Sequence, residues 1–320
     1  MNFQQRYILM MRRQRDFRWG DEYVPSTLAT VREAPKGSRV SRLNSRKLGR
    51  TLHALSTPER VFTLLALHHP GLFDFHEQKM LSPSSTIHPL YGHSLTRGIV
   101  FAPMVGTLEI AQEIGLEHSL VLVSDDDGNR GWQAFPYQGD LLLYIRSPDG
   151  VAYAVNWTIK YMQEDFTERR RSAVKTRAQL KKDRLHADLR LRLEEEYYAR
   201  GGIRTIQLTP DMLDPVAIAN LNLLWGCHTR ELTLEPALLS DFSSDLSVAV
   251  KAGTPPFETA LRYAARWGSG DQFRTRIYQD IWNRGLQVNL LKRLHIDHPL
   301  AIEGGDLIEV YRDFFQGTPS

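Results

Sequence analysis

Cysteine is nearly missing from this chain. One residue, Cys227, in 320 excludes an intramolecular disulfide and any zinc site built on paired cysteines. Long apolar runs are missing too: no stretch reaches the ~20 residues that a membrane-spanning helix needs. The N-terminus, M-N-F-Q-Q-R-Y-I-L-M-M-R-R, has a short apolar stretch followed by Arg12 and Arg13, which is not the order of a secretory signal. No internal repeat or low-complexity tract is present. Histidines cluster at His68, His69, His76, His88 and His93, but none of them stand in an H-x-x-x-H or H-x-E pattern. They are expected in surface or supporting roles, and Cys227-His228 in core packing. Together these absences point to a globular chain without a membrane segment, in a reducing cytoplasm.

What remains is sufficient for two domains: 320 residues, 42% of them hydrophobic. The net charge is only +3, but it is unevenly placed. The first sixty residues hold thirteen Lys and Arg against five Asp and Glu. Arg42, Arg46, Lys47 and Arg50 concentrate the excess and suit contact with nucleic-acid phosphates. A second basic run, Arg169-Arg170-Arg171 to Arg184, is interleaved with Glu164, Asp165, Glu168 and Asp183, and reads as a solvated helix face.

Residues 1–50 read as an irregular basic arm, punctuated by Gly20, Pro25, Pro35, Gly37 and Gly49. A helix follows, capped by Ser56 or Thr57, with Pro58 and Glu59 in its first turn and Pro70-Gly71 after its end. Phe73 to Leu81 alternates apolar and polar residues like a half-buried strand, with Glu77-Gln78 near its end. Thr107–Ile114 suits a short helix and Ser119–Val123 a strand. Asp125-Asp126-Asp127-Gly128-Asn129 reads as a turn, because Arg130 and Pro136 stand where a calcium loop requires Gly and Glu. Residues 140–145 and 151–160 read as a hairpin around Ser147-Pro-Asp-Gly150. A long charged helix from about Glu164 to Arg200, a strand at 203–208 and a helical region from 210 complete the chain. In that region helices at 256–267 and 271–284 precede a hairpin-like stretch at 286–303, a winged-helix-like order.

The chemistry lies in the first hairpin. Its outer ends carry Asp140 and Lys160, and antiparallel pairing brings such ends together. An aspartate beside a lysine at a sheet end suits metal-dependent phosphodiester cleavage, in which carboxylate oxygen holds Mg²⁺ and lysine balances phosphate charge. Read alone, the two residues fit a surface ion pair better than a site, and Glu59 fits a capping carboxylate better than a ligand.

Lys47-Leu-Gly-Arg50, His53-Ala-Leu-Ser56-Thr-Pro-Glu59-Arg-Val-Phe62 and Glu77-Gln78 resemble the TnsA family, the endonuclease subunit of heteromeric cut-and-paste bacterial transposases. The likeness is densest over 21–82 and returns at Gly139-Asp140, Thr158-Ile-Lys160 and 193–209. It implies an α/β, restriction-endonuclease-like core (51–209, with 1–50 as its arm) and a helical, winged-helix-like domain over 210–320. Glu59 and Asp140 become metal ligands, joined by the Ile159 carbonyl, and Lys160 becomes the catalytic lysine. Glu77, Gln78 and Thr158 become residues that support the ligands. The implied cofactor is Mg²⁺, with Mn²⁺ as a substitute. The implied reaction is cleavage of the 5′ ends of a transposon on double-stranded DNA. A TnsB-like DDE transposase and a TnsC-like AAA+ ATPase are the implied partners. One departure matters: Thr158 stands where the family tends to have Gln. Two other readings stay open, a stand-alone restriction or repair nuclease and a weakly catalytic adaptor that binds DNA and the ATPase.

Overall fold

The computed structural model describes residues 1–16, 18–124, 129–168 and 174–318. The acidic turn at 125–128 and Arg169–Arg171 therefore lie outside the described residues. The chain is mixed α/β and divides into two units: Met1–Thr63, Gly71–Pro210 and the segment from Phe314 form the first, Leu64–Pro70 and Asp211–Asp313 the second.

The first unit is built on a four-stranded sheet. Its strands are β3 (Leu72–Glu77), β8 (Leu141–Arg146), β9 (Ala152–Ile159) and β10 (Arg204–Leu208), in the order β10-β9-β8-β3. β8 is antiparallel to both β3 and β9, whereas β10 is parallel to β9. Parallel neighbours need a crossover, and helix α4 (Arg177–Ala199) supplies it. β8 is buried on both faces from Leu141 to Ile145, which explains its unbroken apolar run. β9 alternates: the Trp157 ring meets Phe62 of α2 (Thr57–His68), while Asn156 meets Glu194 of α4. Returning chain adds to the Trp157 side, where the indole N–H donates to the Phe314 carbonyl at 2.6 Å.

The N-terminal fifty residues are not an irregular arm. Phe3–Gln14 forms α1, started by a capping box between Asn2 and Gln5. Met10 and Phe135 share a small core with Val121, and Phe3 stacks on Phe135 at 4.1 Å. Tyr7 and Met11 pack against the same cluster, and the Arg6 guanidinium lies over the Phe135 ring at 5.9 Å. β1 (Ser41–Ser45) and β2 (Arg50–Ala54) form a hairpin. Between α1 and that hairpin, Trp19 to Tyr23 covers β3. This changes the expected half-buried strand. Asp74 accepts from the Gly20 N–H at 2.7 Å, and His76 stacks on Tyr23 at 3.8 Å and bonds the Tyr144 hydroxyl at 2.8 Å. Both polar residues are buried, and burial raises the Asp74 carboxyl and lowers the His76 imidazole well below its usual value.

After β3 the ladder kinks. Gln78 is left-handed, at φ 51°, and its N–H donates to the Asp140 carbonyl at 2.9 Å. β4 (Met80–Leu81) then pairs with β7 (Tyr137–Gln138). Kinks of this kind re-aim side chains at sheet ends. The insert between these strands holds α3 (Thr107–Ile114) and the hairpin β5 (Leu120–Ser124) and β6 (Arg130–Ala134).

The second unit is helical: α5 (Pro215–His228), α6 (Pro236–Lys251), α7 (Pro256–Trp267), α8 (Gly270–Trp282) and the short α9 (Leu307–Val310). Phe242, Tyr263 and Phe273 pack together, and Cys227 is buried. The expected wing is not formed. Residues 286–303 contain no strand: one backbone bond, from the Asn289 N–H to the Ala301 carbonyl at 2.7 Å, crosses the segment, and side-chain amides take three of its carbonyls. Asn220 donates to the Leu290 and Lys292 carbonyls at 2.8 and 2.7 Å, and Asn289 donates to the Glu303 carbonyl at 2.8 Å.

Candidate active site

The kinked end of the sheet brings Asp140 and Lys160 together. Leu141 pairs with Trp157, which sets Asp140 level with Thr158. The Ile159 N–H donates to Asp140 Oδ2 at 2.7 Å. Lys160 Nζ lies 3.4 Å from the same oxygen and donates to the Ile159 carbonyl at 3.1 Å. Lys160 is 39% exposed along its side chain. Burial pulls its pKa down, but the charges of Asp140 and Glu194 outweigh that and raise it. The group is therefore an ammonium at neutral pH, suited to charge balance and not to accepting a proton.

Glu59 sits in the first turn of α2 and is only 7% exposed. Ser56 caps the helix by accepting the Glu59 N–H at 3.2 Å, and the Ser56 hydroxyl donates back to Glu59 Oε1 at 2.9 Å. Oε2 accepts the Leu55 N–H at 2.8 Å and Gln78 Nε2 at 2.7 Å. The capping reading is thus correct as far as it goes, yet the carboxyl is also perturbed. Burial first, and the Asp140 charge second, raise its pKa to about 7 against the pull of its three donors. Glu59 and Asp140 therefore repel one another at the sheet end.

A chain of amides orients Glu59. The Thr27 hydroxyl donates to Gln138 Oε1 at 2.7 Å, and the Ser26 hydroxyl shares its one hydrogen between that oxygen and the Gln78 carbonyl, each at 2.7 Å. Gln138 Nε2 must then donate to Gln78 Oε1, at 2.5 Å, and Gln78 Nε2 must donate to Glu59. Every bond in the chain runs in one direction and ends on the carboxylate, which favours its ionised form.

Glu77 has another task. Arg50 grips it with two parallel bonds, at 2.8 and 2.9 Å, and the His53 N–H adds a third at 3.0 Å. The Arg50 guanidinium also donates to the Phe75 carbonyl. Its side chain is 6% exposed and spent inside the fold, so Arg50 leaves the set of phosphate-facing cations. Arg42, Arg46 and Lys47 stay on the β1–β2 hairpin, all three exposed.

Beyond Lys160 opens a cavity of about 210 Å³, lined by Asp140, Thr158, Phe166, Arg190 and Glu194 among others. Glu194 and Arg190 are site residues that sequence reading passed over. They lie in a charged helix that reads as a solvated face, and the signal was the apolar Leu193, Tyr197 and Tyr198 beside them, all buried. Burial raises the Glu194 carboxyl, and Asp140 adds to the rise, against the lowering effect of Arg190.

Glu59, Asp140 and the Ile159 carbonyl would give Mg²⁺ only a small protein share. Among the described residues no three His, Cys, Asp or Glu are grouped to hold a metal ion. The donors are two carboxylates and the Ile159 carbonyl, and the Lys160 ammonium already bonds to oxygens of that set. Hard oxygen donors completed by water are what Mg²⁺ accepts. Among the described residues, no helix is long and apolar enough to cross a membrane. No protein-family model matches the chain, and no curated protein matches it.

Proposed function

We propose that the chain is a metal-dependent DNA endonuclease of TnsA type, with a restriction-endonuclease-like core in the first unit. The observation that carries this reading is the convergence of Asp140, the Ile159 carbonyl and Lys160, with Glu59 near enough for the Asp140 charge to raise its pKa. In this reading Glu59, Asp140 and the Ile159 carbonyl hold Mg²⁺, and Mn²⁺ substitutes. When bound, the ion supplies an activated water and neutralises charge on the phosphate and the leaving oxygen. Lys160 donates a charged hydrogen bond to the attacked phosphate as its charge grows. Gln78 and Gln138 keep the Glu59 carboxylate aimed. Arg42, Arg46 and Lys47 meet the DNA backbone and set its register. The substrate is the 5′ end of a transposon, with a TnsB-like transposase acting on the 3′ ends and a TnsC-like AAA+ ATPase engaging the helical unit.

The test is a reconstituted excision reaction on transposon-end DNA. Asp140→Ala or Lys160→Ala abolishes 5′-strand nicking while DNA binding persists; nicking at the parent rate by either variant refutes the assignment. Thr158 favours one competing reading, the non-cleaving adaptor, because a neutral hydroxyl replaces a stronger ligand. Mn²⁺ binding that is lost in Asp140→Asn speaks for the nuclease, and no Mn²⁺ binding by the parent chain speaks for the adaptor.

A further inference from the structure

Lys160 occupies a place that the proposed reaction needs for something else. Its ammonium bonds the Ile159 carbonyl at 3.1 Å and approaches Asp140 Oδ2 at 3.4 Å. Those are two of the oxygens assigned above to the metal. Mg²⁺ draws its oxygens to about 2.0–2.1 Å, which leaves no room for a second cation between them. The ammonium must therefore move.

The cavity beside it shows where. Lys160, Asp140, Thr158, Phe166, Arg190 and Glu194 share its walls. A lysine carries its charge on a flexible four-carbon stem, but the charge enters a buried wall only against a carboxylate. Glu194 is 6% exposed, and one oxygen is held by Asn156 Nδ2 at 3.0 Å. The other, Oε2, faces Arg190 Nη1 only at 3.8 Å, too far for a hydrogen bond. That Nη1 is itself buried without a hydrogen-bond partner. The remaining acid on the wall, Asp165, accepts the Met162 N–H at 3.2 Å and is half-buried, so it is the weaker acceptor.

We propose that the Lys160 ammonium and the catalytic cation compete for Asp140 Oδ2 and the Ile159 carbonyl, and that, until DNA brings a phosphate, Glu194 is the positioning residue that receives the ammonium when the cation enters. This rests on the reading of Asp140 as a metal ligand. It gives α4 a part in metal loading, and it makes up for the neutral Thr158 by placing an acid across the cavity.

The experiment is a Mn²⁺ titration of the full chain without DNA, with free Mn²⁺ read by electron paramagnetic resonance. Lys160→Met removes the competitor and tightens Mn²⁺ about fivefold, the size that a partly exposed ion pair supports. Glu194→Gln weakens Mn²⁺ about tenfold, as loss of a residue behind the ligands does, and has no effect when combined with Lys160→Met. Asp165→Asn changes nothing. The proposal is overturned if Lys160→Met leaves affinity unchanged or weaker. It is also overturned if Glu194→Gln acts equally in both backgrounds, or if Asp165→Asn reproduces its effect. Asp140→Asn separates the two levels: if it binds Mn²⁺ as the parent does, the metal site itself is wrong and the proposal falls with it. Circular dichroism checks that each variant is folded. Should Glu194→Gln not fold, the Lys160→Met result still decides the competition.

Discussion

Replacing Glu59 with glutamine is expected to stabilise the fold near neutral pH and to stop cleavage. The folded-state pKa is about 7, against an ordinary 4.5. Between those values the folded chain binds the Glu59 proton more tightly than the unfolded chain does, so stability falls as pH rises through the window. Above pH 7 the accumulated cost is about 3 kcal/mol, at 1.36 kcal/mol per unit. Below 4.5 it is absent. Glutamine removes the titration and keeps the local bonds. Its oxygen takes the place of Oε2 and accepts from Leu55 and Gln78, and its amide meets Ser56, whose hydroxyl turns to accept. The charge on those bonds already counts in the pKa of about 7, so the expected gain is the full figure of about 3 kcal/mol. Urea unfolding near pH 8 and below pH 4.5, without divalent metal, measures it. A variant less stable than the parent near pH 8 refutes the reasoning, as does a gain of equal size at both pH values.

Other substitutions separate roles inside the same unit. Glu77→Gln strands the buried Arg50 guanidinium and is expected to cost about 3–5 kcal/mol in thermal or urea unfolding; a loss below about 1 kcal/mol would show the pair to be dispensable. Gln78→Gly keeps the left-handed backbone at φ 51° and removes the donor to Glu59. The Glu59 pKa then rises, and the acid limb of the cleavage profile moves to higher pH; an unmoved limb argues that Glu59 need not ionise. Arg42→Glu with Lys47→Glu should weaken binding to all DNA sequences alike. It should also flatten the dependence of affinity on salt, by about 0.9 in slope for each phosphate no longer neutralised. An unchanged slope removes the hairpin from the interface.

Local chemistry was readable where it acts locally. Ser56-x-x-Glu59 marks the start of α2, Gly115 closes α3, and Ser147-Pro-Asp-Gly150 turns β8 into β9, so Asp140 and Lys160 meet as the spacing of the two strands requires. The same local reading misjudged the N-terminus. Its glycines and prolines marked breaks, but helix α1 forms ahead of them and the β1–β2 hairpin around Gly49, because Phe135 and Glu77, far along the chain, supply their partners. The wing at 286–303 failed for the converse reason: Asn220 and Asn289 take three carbonyls that a strand pair would have used.

The sequence by itself determined which carboxylates could matter: Glu59 by its helix start, Asp140 and Lys160 by their hairpin, and Glu77 by its place at the end of a strand. Tertiary structure decided among them. Arg50, 27 residues from Glu77, fixes that carboxylate as an internal ion pair, whereas Glu59 takes its bonds from neutral donors and is left beside Asp140. It also brought Glu194, 38 residues from Asn156, to the wall behind Lys160. The physical reason is that a buried charge takes its character from its neighbours in space, and those neighbours come from distant parts of the chain.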